Sequence, residues 1–283
     1  MKRFKHLKPV IALLIALCFG TNAHAFVSPK RVVIEDRQSA RAITIFNSSN
    51  KPMVYTFEWK SRAQMPDGKR RNLDEGETVE GYRPAHDYLL FSPRKVVIPP
   101  GKFQKVRLLA RRENNMEEGE YHSHLLIKPE PLETKKRQEQ QKDPNAQDLS
   151  QPSVGGKIEV RTFMSIPVFL HHGETKIDFN ISDVALSKHE NGMDQIDFVI
   201  NNNSTRSFYS KNEIQCEKAD GSQEILKGGT SYVYSEGKSI PAMILFKKDY
   251  PTIDECQGVT LLISAHNDFE FKRNEPIQTA KIK

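Results

Sequence analysis

The chain has 283 residues, 37% of them apolar, with 42 Lys and Arg against 36 Asp and Glu. This is enough for two domains of roughly 100–150 residues or one large one. The balance is too even for a nucleic-acid surface to be read from charge alone.

Lys2, Arg3, Lys5 and Lys8 precede an apolar run from Val10 to Gly20, and Ala23-His24-Ala25 has the small-x-small form of a cleavage site. A run of about 11 residues is too short to span a bilayer, so residues 1–25 read as a secretory signal, with the mature chain starting at Phe26. An N-terminal membrane anchor is the alternative; a lipoprotein on Cys18 is poorly matched by the preceding Leu17. Four of the 42 basic residues lie in this leader, which leaves 38 against 36 acidic ones, or +2. No later apolar stretch is long enough to cross a membrane, so a soluble exported protein is expected, not membrane-embedded and with no nucleic-acid partner.

The predicted elements are strands. Ala42–Phe46 runs into the turn cluster Asn47-Ser-Ser-Asn-Lys-Pro52. Met53–Lys60 alternates, with Met53, Tyr55, Phe57 and Trp59 on one face and Thr56, Glu58 and Lys60 on the other, as a half-buried antiparallel strand does. Val96–Ile98 stops at Pro99-Pro100-Gly101; Val106, Leu108 and Ala110 resume the pattern, and Tyr121–Ile127 is another strand. From Pro129 to Gly156 the composition turns polar and charged, which predicts a loop inside the first domain; an interdomain linker is the alternative. Lys157–Leu170 alternates again. A boundary is expected at His171-His172-Gly173-Glu174, dividing the mature chain into 26–171 and 172–283. Beyond it Ile177–Leu186, Gln195–Ile200, Ser231–Tyr234, Ala242–Phe246 and Val259–Ser264 read as strands. Short strands separated by turns, with no sustained 3.6-residue apolar period, predict an all-β chain of two sandwiches.

Two cysteines remain after the leader, Cys216 and Cys256, an even number in an oxidising compartment. They are expected to form one disulfide closing a loop of about 40 residues, for which the chain-entropy model gives roughly 4 kcal/mol as an upper guide. Two separate buried thiols are the alternative.

The order and spacing of Arg31-Val-Val-Ile34, Ile43-Thr-Ile-Phe-Asn47, Phe91-Ser-Pro-Arg94, Ile98-Pro-Pro-Gly101, Gln104-Lys-Val-Arg-Leu108, Gly119-Glu-Tyr121, Leu125 and Ser165-Ile-Pro-Val-Phe169 resemble the first domain of periplasmic chaperones of the chaperone–usher pathway. The resemblance covers roughly residues 27–172 and weakens beyond. It implies two immunoglobulin-like β-sandwiches in a boomerang arrangement, in the periplasm, with pilus or fimbrial subunits and an outer-membrane usher as partners and no cofactor, metal or catalytic residue. The working part would be a lent strand. A pilus subunit is an incomplete sandwich, and the chaperone's last strand satisfies its unpaired edge and fills its groove until the next subunit displaces it.

On this resemblance the donor strand is Lys157–Leu170, with Ile158, Val160, Thr162 and Met164 on one face as groove-filling side chains and Ile166, Val168 and Leu170 in the chaperone's own core. Arg31 falls where such chaperones hold the subunit's terminal carboxylate, a role suited to a planar guanidinium fork. The usual partner lysine is replaced by Pro167, and the interdomain arginine is replaced near His171, departures that point to an archaic-like branch. Arg94 or Lys95 offers a second anchor. Self-association of the free protein through its apolar edge is a further expectation.

Two rival readings remain. His122 and His124, two apart on one strand, with His171 and His172 nearby, suggest a metal enzyme; but no HExxH, phosphate loop or nucleophile constellation accompanies them. A secreted immunoglobulin-like adhesin or structural module would share the fold but not the polar insert followed by an alternating strand that ends at a hinge.

Overall fold

A computed structural model of the chain describes residues 26–133, 162–190, 192–246, 253–266 and 277–282. The expected leader, the stretch 134–161 and with it Ile158 and Val160 lie outside the described residues.

The first sandwich is built from β1 (Phe26–Ser28), β2 (Val32–Ile34), β3 (Ala40–Phe46), β4 (Met53–Lys60), β5 (Arg62–Gln64), β6 (Arg70–Asn72), β7 (Leu89–Ser92), β8 (Lys95–Ile98), β9 (Phe103–Ala110), β10 (Gly119–Pro131) and β11 (Met164–His172). One sheet runs β1-β3-β9-β7 and the other β2-β11-β10-β4-β8, with β5 and β6 as a separate hairpin. The alternation read from the sequence is what fills the space between the sheets. Ile43 and Ile45, Val106 and Leu108, Tyr55 and Phe57, Leu125 and Ile127, and Ile166, Val168 and Leu170 all lie in one buried cluster. Each such side chain contributes about 1.5–3 kcal/mol of burial. The turn clusters are equally specific. Buried Asn47 donates through Nδ2 to the carbonyls of Lys51 and Ile98, both at 2.8 Å, so one amide ties the turn after β3 to the end of β8.

The second sandwich comprises β12 (Phe179–Lys188), β13 (Asp194–Asn202), β14 (Phe208–Glu217), β15 (Gln223–Val233), β16 (Ser239–Leu245), β17 (Gly258–His266) and β18 (Ile277–Lys281). Its sheets are β12-β13-β16 and β15-β14-β17-β18. Cys216 and Cys256 are joined by a disulfide with Cα atoms 5.4 Å apart, inside the second buried cluster. The five strands expected after the boundary are present, the first shifted by two residues to Phe179–Lys188 and the other four with longer spans. The sequence reading missed β14 altogether, because Ser210 and Asn212 occupy inward positions that were expected to be apolar.

Between the sandwiches the chain turns at Gly173, with φ 66°. A Cβ there would sit 2.5 Å from Glu118 Cγ, so both the conformation and the close approach call for glycine. No helix among the described residues is long and apolar enough to cross a membrane.

Candidate functional site

Strand β10 is buried on both faces, which its sequence does not announce. Its odd positions, Tyr121, Leu125 and Ile127, enter the first core. Its even positions, Glu120, His122 and His124, are buried too, Glu120 only 3% exposed. The second sandwich covers them. Antiparallel register sets Glu120 opposite His171, His122 opposite Phe169 and His124 opposite Pro167, so these six make one outer face.

At one end of that face a polar joint closes. His171 offers Nε2 to Glu120 Oε2 at 3.0 Å and Nδ1 to Glu35 Oε2 at 2.7 Å. Glu120 accepts the Ser207 N–H at 3.0 Å, and the Ser207 hydroxyl as well. Arg206 lies 3.8 Å from Glu35. Arg112 donates to the carbonyls of Gln38, Glu35 and His171 at 2.7, 2.8 and 3.1 Å, bracing the strand ends beneath the joint. Burial by itself would lower the His171 pKa, but its bonds to Glu120 and Glu35 outweigh this and raise it. Burial would likewise raise Glu120; the bond and charge of His171 hold it well below the usual carboxylate range. The joint is therefore an imidazolium between two carboxylates.

Beside the joint stands a charged group of different character. Arg31 immediately precedes β2, which pairs in parallel with β11 through Val32↔Val168, Val33↔Phe169 and Ile34↔Leu170. Its guanidinium carbon stands 4.1 Å from the Phe169 ring centre and 4.7 Å from that of Tyr209, so it is stacked between a ring of each sandwich. Nη2 reaches the Ser207 carbonyl at a long 3.4 Å, and Nε is buried without a partner. No carboxylate among the described residues forms an ion pair with it. The rings continue: Phe169 meets Tyr234 at 5.8 Å and Tyr209 meets Tyr232 at 4.8 Å, both edge-to-face. At the far side Arg70 stands 4.5 Å over Tyr232 and 5.7 Å over Tyr234.

Arg70 arrives on the β5–β6 hairpin, a projection of the first sandwich that the sequence reading did not find. Gln64 fastens it to the second sandwich. Its Nε2 donates to the Tyr232 carbonyl at 2.7 Å, its Oε1 accepts the Tyr234 N–H at 2.8 Å, and its own N–H donates to Glu236 Oε1 at 2.9 Å. Glu236 Oε2 in turn accepts from His122 Nε2 at 3.0 Å. A cavity of about 470 Å³ lies under the hairpin, walled by Arg62, Lys69, Arg70, Tyr232, Ile240 and Pro241 among others, with no acidic residue in its lining. The four histidines of the metal reading are spent elsewhere: His122 on Glu236, His171 on two glutamates, His172 beside Asp36 at 3.3 Å, and His124 facing the Tyr234 hydroxyl at 3.3 Å.

Of the expected donor strand, Lys157–Arg161 lie outside the described residues, and among the described ones β11 begins at Met164. Among the described residues, pairing of β11 with β10 runs from Met164↔Ile127 to His172↔Gly119; Thr162 and Phe163 are exposed and outside any strand, Phe163 at 52%. The stop has a cause in β10. Leu132 N–H bonds to the Pro52 carbonyl, on the β4 side. N–H directions alternate along a strand, so positions 129 and 131 address the β11 side, and both are proline, with no proton to give. Met164 itself packs against the first core together with Ile166, Val168 and Leu170. Pro167 sits one residue before pairing with β2 begins at Val168, where β11 has a neighbour on one side only and a missing N–H is tolerated.

The structure does not bring Arg94 and Lys95 to Arg31. Lys95 lies on β8, at one edge of a five-stranded sheet whose opposite edge is β2, and Arg94 directly precedes it. Four strand spacings, roughly 19 Å, separate those edges. A carboxylate held by Arg31 is out of their reach, which corrects the expectation of a second anchor there.

No protein-family model and no curated protein matches the chain. Solved structures similar to it include the class 5 fimbriae chaperone CfaA, with 11% identity over 92% of this chain and 99% of that one, TM-score 0.49. The YadV chaperone has 11% identity over 91% and 99%, TM-score 0.49. A third is the CsuC–CsuE chaperone–tip adhesion subunit pre-assembly complex of archaic Csu pili from Acinetobacter baumannii, with 16% identity over 80% and 91%, TM-score 0.43.

Proposed function

We propose that this chain is a periplasmic chaperone of the chaperone–usher type, which binds pilus subunits by donor-strand complementation and delivers them to an outer-membrane usher. The observation that carries this reading is Arg31: a guanidinium held between rings of two sandwiches, at their junction, near enough to Glu120 for its charge to be felt there but forming no ion pair among the described residues. An arginine kept this way is ready for an anion from outside, and the end of a polypeptide supplies one. The ordered motifs from Arg31 to Phe169 support the same reading.

The early end of the β10–β11 ladder is consistent with it. Thr162 and Phe163 leave the sheet just upstream of Met164, on the side from which Ile158 and Val160 would be lent. Ile158, Val160, Thr162 and Met164 share one parity, continuous with the core face of β11. In this reading Ile158 and Val160 fill the subunit's groove, and Met164 marks where the strand passes from subunit to chaperone core.

Co-expression with pilus subunits tests the proposal. The wild-type chain should co-purify with a subunit, and Ile158→Asp or Val160→Asp should lose it while remaining folded, because an unpaired carboxylate does not enter an apolar groove. Wild-type recovery of the subunit by both variants would show that the donor strand is misplaced. A chain that captures no subunit at all would favour the adhesin-like module.

A further inference from the structure

We infer that the outer face of the β1-β3-β9-β7 sheet rests on an anionic phospholipid membrane, with a row of three phenylalanines entering the lipid and two cations behind it meeting the headgroup phosphates. This goes beyond the chaperone reading and does not depend on it.

The outer face of an antiparallel sheet is ordinarily its wet side and carries polar residues. Here the register sets three phenylalanines side by side on neighbouring strands: Phe26 pairs with Phe46, and Phe46 with Phe103. Their strand neighbours Val27 and Ile45 enter the first core, so alternation turns Phe26 and Phe46 outward. Phe103 shares the outward parity of β9, opposite to buried Val106 and Leu108. Phe103 at 65% and Phe26 at 58% are the two most exposed large apolar side chains among the described residues. Strands lie about 4.8 Å apart, so the row is about 10 Å wide. Along β9 the outward positions continue with Lys105 and Arg107, and the face ends on exposed Leu109 beside exposed Leu90. No outward position of the sheet is acidic, and neither cation forms an ion pair among the described residues.

Rings and cations together fit a partner that is both apolar and anionic. A second copy is a poor match. An isologous contact through this face would set Lys105 and Arg107 against the same two cations. A lipid interface fits on each count. It takes phenylalanine and leucine side chains to the boundary of headgroups and acyl chains, and it gains from lysine and arginine at the phosphates. The planar fork of Arg107 suits a phosphate in particular. It also needs no matching pocket, which suits rings standing in a line across three strands. Strand β11 belongs to the other sheet, so a chain resting on this face keeps β11 away from the lipid.

The test uses the exported chain, from Phe26 on, so that the apolar leader contributes nothing. Flotation with vesicles of phosphatidylethanolamine and phosphatidylglycerol is compared with flotation with phosphatidylcholine vesicles. The variants are Phe26→Ser with Phe103→Ser, Lys105→Glu with Arg107→Glu, and Met243→Ser, a similarly exposed apolar residue on the second sandwich. Thermal melts confirm folding. The wild type should prefer the anionic vesicles by about tenfold or more, and high salt should remove most of that preference. Each double variant should lose about tenfold or more in binding to the anionic vesicles, and Met243→Ser should lose nothing. A wild type that floats with neither vesicle overturns the inference. So does binding that survives both double variants, or that falls as far in Met243→Ser. Failure to float, combined with a dimer that Phe26→Ser with Phe103→Ser dissociates, would give the face to a second copy. Failure to float, combined with loss of subunit capture by the double variants, would give it to a protein. Either result overturns the lipid inference and leaves the chaperone reading standing.

Discussion

Two regions of the same interface use the same residue types to opposite ends. In the joint, His171 meets Glu35 and Glu120, and Ser207 caps Glu120, so each carboxylate has cationic or N–H partners. Beside it, Arg31 stacks on Phe169 and Tyr209, reaches the Ser207 carbonyl at a long 3.4 Å and forms no ion pair among the described residues. A buried charge with its partner inside the chain is committed to holding the domains together. A charge kept in place by aromatic faces without an ion pair is, on the proposed reading, available to a ligand. The two regions touch through Ser207, whose side chain and N–H serve Glu120 while its carbonyl faces Arg31.

The comparison breaks first at Glu120. Glu120→Ala removes the partner of His171 and of Ser207, and breaking a buried pair costs about 3–5 kcal/mol. Denaturant unfolding should show this loss; an effect under about 1 kcal/mol, the range of an exposed pair, would mean the joint is not desolvated. Gln64→Ala should come next. It strands the buried Tyr234 N–H and the Tyr232 carbonyl, at about 2 kcal/mol. Proteolysis or hydrogen exchange should then find the β5–β6 hairpin opening before the rest of the chain; uniform protection would deny that Gln64 is the clamp.

A smaller effect sharpens the joint by pH. The pKa of His171 is raised in the folded chain, so its contribution is complete below its ordinary value of 6.5 and is lost as pH climbs through the raised one. Glu35 and Glu120 are lowered, so theirs is complete above 4.5 and is lost as pH falls through the depressed values. The joint should hold best between these limits. Chemical denaturation across pH should show a plateau there, and His171→Gln should flatten the alkaline limb; an unchanged limb would place the titration elsewhere. The smallest effect on stability belongs to Arg31→Ala, about 1 kcal/mol from lost stacking, even though subunit binding should fall strongly. Large destabilisation would turn Arg31 from a stored charge into a structural one.

Much of the fold was readable in the sequence because period-two alternation and Pro or Gly punctuation are local. Met53–Lys60 and Val96–Ile98 emerged close to their observed spans. What escaped notice shares one cause: polar residues buried against a distant part of the chain. Nothing local in the sequence marks Glu120, His122 and His124 as buried, but the second sandwich dries them. Strand β14 was hidden by inward Ser210 and Asn212 for the same reason. The prolines at 129 and 131 were visible from the start as part of a polar insert; only register with β4 and β11 reveals which edge they silence.

The sequence by itself determined the all-β character, the turns and the paired cysteines, each of which depends on local alternation and punctuation or on an even count of residues. Only the tertiary structure decided that Arg31 stacks between Phe169 and Tyr209, and that His171 is caught between two glutamates while Lys95 is stranded at the opposite sheet edge. Charge and ring neighbours across a domain junction are set by how two sandwiches dock, and docking leaves no period in the chain for local reasoning to find.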